Sequence, residues 1–179
     1  MADEIAPAPV AGITDGSALK DGRRIHLRTL GPGDKQALSE GFARLSKQSK
    51  YFRFLSPMGR LTAAQLRYLT EVDQENHHAW GAYIQSGERE IGVGVARCIR
   101  LDNEPDMAEF AVTIVDEFQL LGAGRILLEI LIRSARRSGI TAFRGYVHRD
   151  NVMMTSLLRS FVGRLPRSGG DVRQVEFPL

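Results

Sequence analysis

The stretch VDEFQLLGAGRILLEIL, Val115–Leu131, joins the end of one strand pattern to a long apolar helix pattern through a short glycine loop. A strand, a tight loop and a helix in direct succession point to packed layers of sheet and helix. The helix opens on Gly122 and Gly124, where Ser, Thr, Asp or Asn would be the ordinary capping choice. A helix leaves its first four N–H groups without internal partners, and with the macrodipole they attract anions such as phosphate. A phosphate reaches them only where no side chain stands in the way. Gly122 and Gly124 remove that obstacle, Ala123 is the next smallest residue, and Gln119 can close the loop by bonding its backbone. A second explanation stands beside this one: the glycines let the helix pack tightly on the strand. The stretch is not a P-loop, since no Gly-Lys-Ser/Thr follows. It is not a dinucleotide fingerprint either, because G-x-G-x-x-G fails at Leu127 and no acid is placed for a ribose.

Working outward, RRIHLRTL (23–30) alternates like a first strand. GPGDKQALSEGFARLSKQS (31–49) repeats Ala37, Leu38, Phe42 and Leu45 at helical spacing, and the aromatic KYFRFLSP ends at Pro57. LTAAQLRYLTEVD (61–73) is a second helix. HHAWGAYIQSGEREIGVGVARCIRL (77–101) reads as two strands about a turn at Ser86-Gly87, and MAEFAVTIV (107–115) as a third. The helix from about Gly122 to Ser138 closes on Gly139 as a C-terminal cap. TAFRGYVH (141–148) is a strand. NVMMTSLLRSF (151–161) is a short helix capped by Asp150 or Asn151, RSGG (167–170) a turn, and VRQVEFPL (172–179) a last strand. Successive antiparallel strands followed by a strand–helix–strand crossover predict a mixed sheet with helices on both faces, an α/β or α+β single domain.

The chain has 179 residues, 43% hydrophobic and 25% charged, which suits one soluble domain with its own core. No apolar run is long enough for a membrane span. Residues 1–20 are rich in Ala, Pro and Gly and lack a signal peptide's basic start and apolar centre, so they are expected to be a flexible tail and the protein cytoplasmic. The folded domain is expected over residues 21–179. A single cysteine, Cys98, excludes an internal disulfide and a cysteine metal cluster, and its apolar surroundings predict a buried inert thiol. The net charge of +3 comes from arginines spread along the chain, without the basic stripe of a nucleic-acid binder.

Gln119-x-x-Gly122-x-Gly124, after a strand and opening a helix, resembles the acyl-CoA pyrophosphate loop of the GNAT superfamily of N-acyltransferases. The order of elements is similar to the GNAT order, and RDNVMMTSLL resembles that family's later asparagine-containing helix. LSKQSKYFRFLSP, LTEVDQENHHAWGAY, IGVGVARCIR and AEFAVTIVDEFQLLGAGRILLEIL resemble the catalytic domain of bacterial Pat-type protein lysine acetyltransferases, over roughly residues 21 to 162. The resemblance implies a mostly antiparallel sheet in which two parallel strands splay to admit the pantetheine arm. It implies acetyl-CoA as cosubstrate, no metal, and a protein lysine as acceptor. The resemblance assigns cofactor contacts to Val112, Thr113 and Ile114 on the strand, to Gln119, Leu120, Leu121, Gly122, Ala123, Gly124 and Arg125 in the loop and first turn, and to Asn151 in the later helix.

Acyl transfer to an amine needs the neutral amine, and a free lysine, with a pKa of about 10.4, is nearly all protonated at neutral pH. A base is therefore useful. On a strand, Glu109, Ala111, Thr113 and Val115 share one face, small or polar, while Ala108, Phe110, Val112 and Ile114 form a core face. Glu109 is either a solvent-facing strand glutamate or the base. The Pat resemblance assigns the base role to it. One departure from the family stands out: seven residues after Asn151, where many GNAT enzymes have a tyrosine to protonate the leaving thiolate, this chain has Leu158. Tyr146 is a second candidate acid, or simply a core or cleft-wall residue. His77 and His78 face opposite ways on a strand and make poor co-ligands. His148 could face the cleft, Asp116 and Glu117 complement the following helix N-terminus, and Arg125 either meets a CoA phosphate or lies on the surface. The readings that compete with a protein lysine acetyltransferase are a small-amine N-acetyltransferase, a non-catalytic module that binds acyl-CoA, and a nucleic-acid binder. The acceptor, the acyl chain and the oligomeric state are not legible.

Overall fold

The computed structural model describes residues 14–165 and 170–179. Seven strands form one sheet in chain order: β1 Thr14–Ala18, β2 Arg24–Thr29, β3 His77–Ser86, β4 Arg89–Leu101, β5 Glu104–Ile114, β6 Ala142–His148 and β7 Val172–Pro178. Every neighbouring pair is antiparallel except β5 with β6, which is parallel. Five helices complete the fold: α1 Lys35–Ala43, α2 Lys47–Phe54, α3 Ala63–Thr70, α4 Ala123–Arg137 and α5 Val152–Val162. The expected mixed, mostly antiparallel sheet is what the chain forms.

Two boundaries differ from expectation. β1 falls inside the expected tail and pairs with β2, so the sheet begins before residue 21. Residues 1–13 of that tail, and most of the RSGG turn, lie outside the described residues. The single helical pattern over 31–49 is two helices. Ser46 ends the first by capping the second: its side chain accepts from the Ser49 N–H, and the aromatic segment that follows is helical. Asp116 reinforces the break, accepting from the Ser46 N–H and the Ser49 hydroxyl at 3.0 Å each. It therefore serves the N-terminus of α2, not that of α4.

The core lies between the sheet and its helices, α4 supplying one long buried face and Phe42, Leu45, Leu61 and Leu69 of the α1–α3 region another part. Leu127, Leu128, Leu131 and Ala135 are wholly buried, at the spacing of one helix face. The buried Trp80 indole on β3 donates to the Ser134 hydroxyl on α4 at 2.8 Å, so the apolar contact also has a fixed register. Gly139, at φ +76°, ends α4, and the Ile140 N–H returns to the Ala135 carbonyl, satisfying a helix-end acceptor. Cys98 is fully buried on β4, and burial pushes its thiol up to about 12, far from a thiolate.

β5 and β6 pair only through Met107–Ala142, Ala108–Phe143 and Glu109–Arg144, and then part. Where the next pair would form, the Phe110 ring occupies the space that a side chain at residue 145 would need. A β-carbon on Gly145 would lie 2.5 Å from that ring. Phe110 also stacks on Phe143 and meets Phe177 edge-on. Gly145→Ala should therefore displace Phe110 and lower unfolding stability by about 1–3 kcal/mol, an overpacking cost read from the urea midpoint. An unchanged midpoint would show that the ring moves freely.

Candidate active site

Beyond Glu109 the backbone groups of β5 that point away from β4 have no strand partner, and a cleft of about 360 Å³ opens there. β5 forms its floor through Phe110 to Ile114. β6 contributes Gly145, Tyr146 and Val147, and α5 contributes Asn151 and Leu157. The far end is the loop before α4, with Gln119, Leu120, Gly122, Gly124 and Arg125.

That loop is held by its own residues. Gln119 turns back and donates from Nε2 to the Ile114 carbonyl at 3.1 Å, with Ser49 Oγ at 3.3 Å. Gly122 sits at φ +97°, a conformation that costs a residue with a side chain. No side chain caps α4, so the Ala123 and Gly124 N–H groups at its start are open to an external acceptor. The two glycines differ in their surroundings. A β-carbon on Gly122 would meet nothing, so that position is glycine for its backbone angle. A β-carbon on Gly124 would meet Leu157 at 3.4 Å and Ile114 at 3.7 Å, ordinary contact distances, so packing of α4 on β5 and α5 does not demand glycine there. The helix start is clear of side chains at both positions.

The cleft brings together Val112, Thr113, Ile114, Gln119, Leu120, Gly122, Gly124, Arg125 and Asn151. Leu121 and Ala123 do not line it: Leu121 packs against the core and Ala123 is buried. Asn151 is the N-cap of α5, its Oδ1 accepting from the Met154 N–H at 3.0 Å. Arg125 pairs with Glu129 at 2.9 Å and covers the Phe161 ring. Glu109 is exposed on β5 at the last paired position, just outside the cleft lining. Tyr146 is 44% exposed on the cleft wall, and Leu158 is fully buried. His148 stacks on Phe52 of α2 and lines no part of the cleft. Among the described residues no three His, Cys, Asp or Glu side chains gather as metal ligands, and no helix is long and apolar enough to cross a membrane.

Two cations of the cleft went unread in the sequence. Lys20, inside the expected tail, lines the cleft, and its N–H bonds the Leu121 carbonyl at 3.0 Å. Arg53 of α2 also lines it. A lone lysine or arginine carries no periodic signal that would single it out.

Behind Arg53 lies Arg97 on β4, 5% exposed. Burial, and then the charge of Arg53, brings the Arg97 guanidinium down to about 9. Arg97 Nη1 donates to the Leu69 carbonyl and to His77 Nε2, each at 3.1 Å. His77 must be neutral to accept. Burial, and next the Arg97 charge, lowers it to about 4. An unfolded histidine titrates near 6.5, so the unfolded chain binds more protons between those values and stability rises with pH there. Unfolding free energy should therefore fall as pH drops from about 6.5 towards 4. His77→Gln, which can still accept from Arg97, should flatten that part of the profile in urea titrations across the range. An unchanged slope would remove His77 from the acid response.

No family model matches the chain. It is 35% identical over 163 residues to acetyltransferase PA5475 of Pseudomonas aeruginosa, covering 88% of this chain and 84% of that protein. It is 32% identical over 158 residues to acetyltransferase Pat of Mycolicibacterium smegmatis, covering 88% of this chain but 44% of that longer protein. The chain thus spans less than half of the mycobacterial relative. The crystal structure of the GNAT domain of S. lividans PAT superposes with a TM-score of 0.85 at 27% identity, over 97% of this chain and 100% of that one. Sequence, sheet order, strand splay and glycine loop agree: the chain belongs to the GNAT superfamily of N-acetyltransferases, alongside the Pat-type acetyltransferases.

Proposed function

We propose that the chain transfers an acetyl group from acetyl-CoA directly to an amine, a protein lysine in the first instance, with Glu109 as general base. The observation that carries this reading is the splay itself: an open strand edge ends at the bare N-terminus of α4 on one side and at Glu109 on the other. The pyrophosphate would accept from the Ala123 and Gly124 N–H groups, with Lys20 and Arg125 as nearby cations. The pantetheine amides would bond the backbone groups of β5 that face away from β4, those of Val112 and the Ile114 N–H, as an added strand would, with Thr113, whose backbone pairs with β4, lining the cleft beside them. Asn151, with its Oδ1 committed to capping, would position the start of α5 along the arm. This arrangement puts the thioester towards Phe110 and Ala111, one or two residues from Glu109.

The amine nitrogen attacks the thioester carbon as its proton leaves, directly or through water, for the Glu109 carboxylate. Backbone N–H groups of β5 are the available donors to the oxyanion. The C–S bond then breaks. A thiolate whose parent thiol has a pKa of about 8.5 leaves without a proton donor, which is consistent with Leu158 being buried in the tyrosine's place. Tyr146, exposed on the cleft wall, is the available alternative donor.

A small-amine acceptor is chemically equivalent at Glu109 and is distinguished by the substrate assay alone. Glu109→Gln should lower kcat by about 10²- to 10⁴-fold, with acetyl-CoA affinity by calorimetry within about twofold of wild type. Full turnover in that variant excludes Glu109 as base. Absence of acetyl-CoA binding in folded wild-type protein excludes the enzyme reading as a whole.

A further inference from the structure

A second cavity of about 80 Å³ adjoins the cleft on the helix-covered face of β5, and the two share Arg53, Ala111 and Thr113. Its walls are mostly apolar, from Leu38, Phe42, Leu61 and Leu69, with Tyr83 and Thr113 adding hydroxyl-bearing side chains, and its charged lining is the cations Arg53 and Arg97 and one carboxylate, Asp34. Asp34 is already committed: it pairs with Arg28 at 2.8 Å and accepts from the Gly31 N–H. Arg97 spends one nitrogen on the Leu69 carbonyl and His77, and its Nε and Nη2 have no partner among the described residues. The Arg53 guanidinium has no hydrogen bond or ion pair among them either, and rests over the Phe54 ring at 4.9 Å. Glu109 is near enough to act on Arg53 through space, and among the described residues no ion pair joins the two.

Two guanidiniums without a carboxylate between them, in an apolar chamber, are an unbalanced charge. A buried cation normally has a paired anion. Planar N–H edges left open are suited to the two oxygens of a carboxylate. The chamber opens where the acyl group and the attacking amine would meet.

We propose that this chamber binds a carboxylate carried by one of the two substrates, either at the far end of the acyl group or on the acceptor amine, with Arg53 and Arg97 as its counter-charges. The inference rests on the acyl-CoA reading of the cleft. The first arm of the test is calorimetric titration of the whole chain with CoA, acetyl-CoA and succinyl-CoA. The second, in saturating CoA, compares 4-aminobutyrate with its neutral amide.

In one arm the carboxylate-bearing ligand should bind about tenfold or more tightly than its neutral counterpart, and that arm names the source. Arg53→Gln and Arg97→Met should each bring the ratio below about threefold. Arg53 is half-buried and bonded to nothing, so Arg53→Gln carries the test even if Arg97→Met fails to fold. A ratio near one in both arms, with CoA bound, overturns the chamber and leaves the acyl-CoA reading standing. A ratio that survives in the Arg53 variant overturns it equally. Failure of CoA to bind overturns both.

Discussion

Where β5 and β6 stop bonding after Glu109 and Arg144, the chain accepts a row of unpaired backbone groups in the middle of a sheet. Such groups are costly when shut away from water, and protein sheets ordinarily close over them. Here they cannot close, because Phe110 fills the place beside Gly145 and is held by Phe143 and Phe177. The same strand is fixed from its other side. Gly94 on β4 has no room for a side chain, since a β-carbon there would lie 2.6 Å from the Thr113 carbonyl oxygen. β5 is thus locked to β4 and held off β6, and the cleft follows from these two contacts.

The loop at the cleft's end continues that logic. Gln119 takes up the Ile114 carbonyl, the last acceptor that β6 leaves free, and so closes the open edge where the ligand-accessible part stops. Gly122 then turns the chain through a left-handed angle and starts α4 with no side-chain cap. Loop and strand edge are not two independent sites. One backbone path runs from a strand without a neighbour to a helix without a cap, and both leave N–H groups pointing into the same cleft.

Much of this was legible in the sequence because it is periodic or conformational. The alternation in MAEFAVTIV separates a buried face from one bearing Glu109, Ala111 and Thr113, and the structure buries Ala108, Phe110 and Val112 as that alternation requires; it breaks at the strand's end, where Ile114 lines the cleft and Val115 is buried. Gly139 reads as a helix stop because only a residue free of strain there ends α4 cleanly. What was not legible depends on contacts between distant residues. Nothing local tells that Asp116 caps a helix 70 residues earlier in the chain, at Ser46, or that Ser46 splits one helical pattern in two. β1 escaped notice because its composition is that of a tail, and its pairing with β2 is what makes it a strand. Arg53 and Arg97 escaped for a different reason. An arginine in a helix or strand reads as a solvated face, and only folding shows that Arg97 points inward.

That inward charge bears on the chemistry of the exposed face. On the proposed reading, an amine arriving over Ala111 and Thr113 would find the Glu109 carboxylate at the rim and two guanidiniums beyond it. Nearby cations disfavour a second positive charge, so they lower the pKa of an amine that comes close. Glu109 has the opposite effect while ionised, attracting the ammonium form to the rim. On that reading the order matters: attraction at the entrance, then a field that favours loss of the proton further in, with Glu109 as the proposed acceptor of that proton. A carboxylate seated between Arg53 and Arg97 would weaken the inner field and leave Glu109 to do more of the deprotonation. With Glu109 in the proposed role of base, the charge in the chamber and the work left to that carboxylate are therefore coupled through side chains on α2, β4 and β5.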